Sequence, residues 1–367
     1  MSETYLCGGC GVELQSKDKE ALGYVPASSL ENDDVLCKRC FQLKHYNKHI
    51  PVSLSDDDFL AMVSSISESK GLVVHLIDLF DVNGTLISSL PRIVGDNPII
   101  LVGNKVDLLP KSTNERKVKQ WLRQLANDAH LNVVDVFLIS SETGLGMNEV
   151  AKEMEFYRAG KNIYVVGITN VGKSTFINKY IDEATGFKEV ITTSYFPGTT
   201  LGFIEIPLDD NASLIDTPGI VNPQQMAHYV SNKDLKLITP RKEIKARNYQ
   251  LNSGQTLFIG GLGRFDFIKG DRETFVCYFA NEVPIHRTKL DNAENLYEKN
   301  LGGLLTPPNE ETLKTLPKLS ENVFKVGPGQ YDIVFPGLGW ITTKTGDVTV
   351  SAHSPKGTTT SIRQSFF

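Results

Sequence analysis

Four short runs of Val, Ile and Leu punctuate the first half of the chain: "GLVVHLIDL" at 71–79, "NPIILVGNKVD" at 97–107, "NVVDVFLISSE" at 132–142 and "NIYVVGITN" at 162–170. Each ends in loop-forming residues, and none alternates apolar with polar as a half-exposed strand would. Between them, 113–128 and 146–158 carry apolar residues at helical spacing. Strands buried on both faces, alternating with helices, predict a doubly wound, mostly parallel α/β sheet, whose ligands bind beyond the carboxyl ends of the strands. Beyond residue 222 the pattern changes to β-like runs, "GQTLFIGGL", "GRFDFIKG", "ETFVCYFA", "YDIVFPGLGW" and "GDVTVSA", with helical spacing only near 290–302. The chain thus predicts three parts: an N-terminal segment (1–50), an α/β domain (51–222) and a β-rich C-terminal domain (223–367).

Composition bounds what those parts do. The 367 residues are 22% charged and 40% hydrophobic, ordinary for a globular protein. No apolar run approaches the ~18 residues of a membrane span, and "MSETYLCGGC" has no secretory core, so a cytoplasmic protein without a membrane partner is expected. A net charge of −5 argues against a uniformly basic nucleic-acid binder, and no DNA partner is expected.

Four of the five cysteines form two C-x-x-C pairs, Cys7 with Cys10 and Cys37 with Cys40. In a cytoplasmic chain, two such knuckles supply the four thiolates of a tetrahedral structural Zn²⁺ site. A redox dithiol is the competing reading, but that motif usually occurs once, at a helix start after a strand. Cys277, inside "TFVCYFA", is expected in a buried strand. "FQLKHYNKH", with Lys44, His45, Tyr46, Lys48 and His49, either grips nucleic acid or is a solvated helix leaving the zinc module.

The strand ends carry the chemistry. Gly167-Ile-Thr-Asn-Val-Gly172-Lys173-Ser174 fits G-x-x-x-x-G-K-[ST], between a strand and a helix. Its glycines turn backbone N–H groups towards a β-phosphate. Lys173 neutralises β/γ charge, Ser174 ligates Mg²⁺, and Thr169, Asn170, Val171 and Thr175 complete the nucleotide-binding loop. "LIDTPGI" (214–220) ends a strand in Asp216, suited to hold Mg²⁺ through water, while the Gly219 N–H can sense a γ-phosphate. In "NKVD", Asp107 can accept two N–H bonds from a guanine edge, which adenine does not offer, with Asn104 and Lys105 bracing the ring and the neighbouring loop. Ser140, Ser141 and Glu142 end the next strand, the Ser141 N–H pointing to the guanine carbonyl. Within "TTSYFPGTT" (192–200), Thr200, or alternatively Thr199, completes the Mg²⁺ shell. Together these motifs select GTP and GDP over adenine nucleotides.

The motif order is NKVD, SSE, phosphate loop, switch threonine, DTPG. Over roughly 70–222 the chain resembles a circularly permuted GTPase, and with the C-x-x-C pairs ahead and the long tail behind it resembles the bacterial YqeH-type GTPases. That resemblance implies a role in assembly of the small ribosomal subunit, through the subunit or its rRNA. Ile220 stands where Ras-like enzymes place a water-orienting glutamine, so slow intrinsic hydrolysis is expected. Asn170 resembles the asparagine with which related GTPases coordinate K⁺, or else it only shapes the loop. The stretch 233–247, with Lys233, Lys236, Arg241, Lys242, Lys245 and Arg247, makes the C-terminal domain either an RNA-contacting module or a docked sheet with a solvated basic face; the family resemblance favours RNA. The function expected is a GTP-driven switch whose catalytic set is Lys173, Asn170, Thr200 and Gly219. The competing readings are an RNA-binding protein with negligible turnover and a phosphoryl-transfer enzyme, for which no second substrate site stands out. The "YRAGKN" linker (157–162) joins what are usually the two termini, and the chain leaves the switch for the C-terminal domain, so loss of the γ-phosphate could pull on it.

Overall fold

The computed structural model describes residues 5–7, 12–19, 21, 23–29, 35–38, 40, 66–185, 204–209, 211–217, 219–220 and 222–367. They fall into two compact units. One comprises Met1–Leu79, Thr85–Val106 and Glu115–Asn222; the other comprises Phe80–Gly84, Asp107–Asn114 and Pro223–Phe367.

In the first unit the apolar runs become β1 (Gly71–Asp78), β2 (Ile99–Asn104), β3 (Val133–Leu138) and β4 (Asn162–Val166). They are joined by β5 (Ile204–Pro207) and β6 (Ser213–Asp216). Helices α1 (Leu90–Val94), α2 (Glu115–Asp128), α3 (Met147–Arg158) and α4 (Lys173–Thr185) separate the strands. Among the described residues the strand order is β3-β2-β1-β4-β6-β5. All pairings are parallel except β5 with β6, an antiparallel edge. Every residue of β1 and β2 is buried, which is why those runs do not alternate. Val73, Val74, Leu76 and Ile77 are fully covered, each side chain contributing about 1.5–3 kcal/mol on burial.

The join between α3 and β4 is short. Ala159 (φ 49°) and Gly160 (φ 77°) take left-handed conformations, and the Lys161 N–H returns to the Arg158 carbonyl. Arg158 anchors the turn through Glu155 (2.6 Å) and Asp209 (2.8 Å).

One residue interrupts the apolar interior of β1. His75 is fully buried, its Nε2 accepting the Ile87 N–H at 3.2 Å, and burial lowers its pKa to about 4. A histidine kept neutral when folded but free to charge near pH 6.5 when unfolded stabilises the fold above pH 6.5. That contribution is lost as pH falls towards 4. Unfolding free energy should therefore drop by up to about 3 kcal/mol across this window. A His75→Gln variant should lose that part of the pH slope in chemical denaturation; an unchanged slope would show that His75 is not its source.

The second unit is a β-sandwich. One sheet holds β7 (Arg247–Leu251), β10 (Glu273–Phe279), β13 (Tyr331–Phe335), β14 (Gly339–Thr343) and β16 (Ser361–Gln364). The other holds β8 (Gln255–Ile259), β9 (Gly263–Lys269), β11 (Ile285–Lys289), β12 (Leu319–Pro328) and β15 (Gly346–Pro355). Their orders are β16-β13-β14-β10-β7 and β11-β8-β9-β15-β12. Phe265, Phe267, Phe275, Phe279 and Phe335 fill the core, with Phe275 edge-on to Phe265 (4.9 Å) and Phe267 (5.1 Å). Cys277 is buried in β10 as expected, and burial pushes its thiol up to about 12. Helical structure extends beyond 290–302: α5 (Asn232–Ile238) lies inside the basic stretch and α7 (Glu310–Leu313) follows α6 (Ala293–Asn300). The α5 helix is seven residues with two lysines, too short and too polar to show a periodic stripe. Segments 80–84 and 107–114 are held within this unit. Phe80 packs on Trp340 (5.9 Å), Arg363 donates to Asn83 (2.7 Å), and the Lys111 N–H donates to Glu243 (2.9 Å).

Candidate nucleotide and metal sites

The phosphate loop bridges β4 and α4 as the sequence requires. Within it Asn170 (φ 67°) and Gly172 (φ 91°) adopt left-handed backbone, which turns successive N–H groups to one side and makes a concavity suited to anions. Gly172 must also be small, because a Cβ there would stand 2.5 Å from the Asn104 Nδ2. The helix α4 opens at Lys173, so its N-terminal dipole faces the loop.

The register of β1, β2 and β4 brings the motifs together. Asn104, 2% exposed, donates from Nδ2 to the Val171 carbonyl (2.8 Å) of the phosphate loop. Its Oδ1 accepts from both the N–H and the hydroxyl of Ser141, each at 3.0 Å. One side chain thus ties the phosphate loop to the loop after β3. The Ser141 N–H, which the sequence aims at the guanine carbonyl, is engaged by Asn104 here. Ser140 is buried, its hydroxyl accepting the Thr143 N–H at 3.1 Å, whereas Glu142 is exposed. Lys105 donates to the Asn170 carbonyl (3.1 Å) and to Asp78 Oδ2 (2.5 Å). Asp107 follows in a single 3-10 turn, Val106–Leu108.

On the other side of β4, Asp216 ends β6 at 1% exposure, 3.4 Å from the Lys173 ammonium. Lys173 also donates to the Thr217 carbonyl. Thr217 in turn is fixed to the Val165 carbonyl by its hydroxyl (2.8 Å). The DTPG segment is stitched to the phosphate loop: Thr169 N–H donates to Ile220 (2.9 Å), and Ile220 N–H to Gly167 (3.3 Å). Gly219 lies against Thr169, whose Cγ2 would be 3.1 Å from an added Cβ. The Ser174 hydroxyl is buried and makes no hydrogen bond, which fits a metal ligand. Thr175 points outward from α4. Thr199 and Thr200 lie outside the described residues.

Two residues here take roles that the motifs themselves do not assign. Asp78 terminates an apolar run, where one acid reads as a strand stop. Thr217 reads as part of a turn. Only the pairing Asp78↔Asn104 and the Lys105 contact reveal the first.

Near the N-terminus, the sulfurs of Cys7, Cys37 and Cys40 lie within 4.8 Å of one another, all buried, and the Cys37 N–H donates to Cys7 Sγ at 3.1 Å. Three converging thiols with an N–H directed at one sulfur are suited to a thiophilic ion such as Zn²⁺. Cys10 lies outside the described residues, as do Lys44, His45, Tyr46, Lys48 and His49.

A second cluster, Asp266, Glu321 and His353, sits on the sandwich. Arg264 lies 2.9 Å from Asp266, which also accepts the Thr256 hydroxyl at 2.6 Å and meets His353 at 2.9 Å. Burial alone would raise the Asp266 pKa, but hydrogen bonds from His353, Arg264 and Thr256 outweigh it and hold the carboxyl below its usual range. With its charge already neutralised by Arg264, this cluster is a cross-strand ion-pair network.

The sequence is similar to those of known proteins. Residues 162–253 match the family described as 50S ribosome-binding GTPase, and residues 272–366 match the family YqeH-like, C-terminal. The chain is 53% identical to the protein YqeH of Bacillus subtilis over 363 residues, covering 99% of each. It is 31% identical to NO-associated protein 1, chloroplastic/mitochondrial, of Arabidopsis thaliana, over 91% of this chain and 69% of that one. A stretch covering 43% of this chain is 31% identical to 55% of Ribosome biogenesis GTPase A of Bacillus cereus. No described helix is long and apolar enough to cross a membrane.

Proposed function

The chain belongs to the YqeH family of GTPases, and on that premise we propose that it is a GTP-hydrolysing switch acting in assembly of the small ribosomal subunit. One observation carries the nucleotide reading: Asn104 bonds both to the phosphate loop at Val171 and to Ser141, uniting three motifs distant in sequence. The strand order β3-β2-β1-β4-β6-β5 supports circular permutation. It places the phosphate-loop strand between the DTPG strand and the strands leading to NKVD and SSE, although the chain reaches the last two first.

The roles follow from position. Gly167 to Thr175 cradle the phosphates, Lys173 offsets their charge, and Asp107 with Asn104, Lys105 and Ser140 to Glu142 reads guanine. Ser174, Asp216 and Thr200 would hold Mg²⁺, which when bound neutralises charge on the β- and γ-phosphates. Cys7, Cys10, Cys37 and Cys40 would hold a structural Zn²⁺. Ile220 has no group to orient water, so unaided turnover would be slow, and Asn170 would hold a K⁺ ion whose charge would offset that of the β/γ phosphates. Lys233, Lys236, Arg241, Lys242, Lys245 and Arg247 would give the C-terminal domain its RNA-facing charge, Arg247 also donating to the Val283 carbonyl at 2.7 Å. The ribosomal reading rests on the family resemblance and on what the name of the Bacillus cereus relative says of that protein.

Hydrolysis measured in K⁺ and in Na⁺, with and without small subunits, tests this. Turnover should rise in K⁺ and rise again with subunits, and Asn170→Ala should abolish the K⁺ response alone. Turnover indifferent to both would favour the second reading, which Ile220 supports: an RNA-binding protein tuned by nucleotide with negligible hydrolysis.

A further inference from the structure

We infer that Asp78 is a positioning residue that sets how tightly guanine nucleotide is held, by fixing the side chain of Lys105. The inference rests on the nucleotide-site reading above and assigns a role to a residue outside every motif of that site. Asp78 closes β1, and the parallel register sets it beside Asn104, so Lys105 follows directly across from its carboxylate. The Lys105 ammonium lies 2.5 Å from Asp78 Oδ2 and 3.1 Å from the Asn170 carbonyl. Both side chains are largely covered, 24% exposed for Lys105 and 10% for Asp78. The backbone that carries the carboxylate is held as well, since the Asp78 N–H donates to the buried Thr85 hydroxyl at 3.0 Å.

Lysine has a flexible four-carbon stem and a compact charge, so it braces a ligand only if its far end is fixed. Here two oxygens fix it, and one belongs to the phosphate loop. The stem is therefore stretched from the NKVD strand to Asn170 before nucleotide arrives, and the entropy of ordering it is not charged to binding. Lys105 itself adopts φ 67°, a backbone that few lysines take. Asp78 is not assigned as a ligand: its carboxylate is paired with the Lys105 ammonium. Its effect is transmitted through Lys105.

The test is release of fluorescent mant-GDP from the full-length protein by stopped flow, with KM and kcat for GTP measured in parallel. Asp78→Asn should speed release about tenfold and raise KM for GTP by a similar factor, with the larger change in KM rather than kcat. Asp78→Glu should recover most of the loss. In a Lys105→Ala background, Asp78→Asn should add little, because the residue it positions is gone. Release from Asp78→Asn at the wild-type rate would overturn the inference, even with a lowered melting temperature, since Asp78 would then be a strand-end anchor only. Effects of the two substitutions that multiply would overturn it too. If the wild-type protein failed to retain mant-GDP, the reading of the nucleotide site would fall, and this inference with it; the two failures are thus separable.

Discussion

Replacing Lys173 with Ala is expected to lower GTP hydrolysis by about 10²–10³-fold, the usual effect of removing one preorganised donor from developing phosphate charge. The structure adds a complication that the motif alone does not. Lys173 is 4% exposed and lies 3.4 Å from Asp216, which is 1% exposed. Its removal deprives a buried carboxylate of that cation, and breaking one side of a buried pair costs about 3–5 kcal/mol. Lys173→Ala should therefore melt at lower temperature as well as lose activity, and the second effect could be mistaken for the cause of the first. Adding Asp216→Asn separates them. The double variant should regain much of the melting temperature, because the buried carboxylate that lost its lysine is now neutral, yet stay inactive, because neither phosphate charge nor metal is addressed. Recovery of hydrolysis together with stability would show that Lys173 acts in folding rather than on the nucleotide. Single-turnover hydrolysis and thermal melting, measured on the same preparations, decide between these.

What could be read from the chain follows how each element is buried. Strands β1, β2 and β4 lie inside the sheet, so nearly all their residues are apolar and the runs stand out. Strands β7, β11, β12 and β16 escaped notice because each exposes one flank: "RNYQL" exposes Asn248 and Gln250, "IHRTK" exposes Arg287 and Lys289, "SIRQ" exposes Ile362 and Gln364 while burying Arg363, and "LSENVFKVGP" exposes Glu321, Val323 and Lys325. In such strands, packing and pairing decide what local composition leaves open. The site divides the same way. Glycines, Lys173, Ser174 and NKVD have types and spacings that the phosphate and base chemistry demand. The Asp78 carboxylate and the Thr217 carbonyl matter through strand register, which no spacing within one segment encodes. That Asn104 reaches both Val171 and Ser141 likewise depends on three strands lying side by side.

Withdrawing zinc should unfold the N-terminal module while leaving the nucleotide site competent. The reason is the size of its core. Among the described residues that core comprises Cys7, Val12, Leu14, Val25, Cys37 and Cys40, with Val35 and Leu36 packed against it. Half of the buried set is cysteine, so the thiols are both the site and much of the interior. A few valines and a leucine bury too little apolar surface to offset the entropy of ordering the segment. A thiolate-bound Zn²⁺ supplies an apparent ~10–16 kcal/mol in small modules of this kind, ample to close the gap. Metal analysis of the full-length protein should find one Zn²⁺ per chain. A strong chelator, or Cys37→Ser, should remove it and open residues 5–40 to limited proteolysis. Cys37→Ser keeps the backbone N–H that donates to Cys7 Sγ, so its effect reports the lost thiolate. Binding of mant-GDP should persist, since Gly167 to Ser174 and Asn104 draw on strands whose cores contain none of these cysteines. Protein that carries no zinc, or that resists protease equally with and without chelator, would exclude a structural ion there. Loss of nucleotide binding in step with the metal would instead make the module part of the switch.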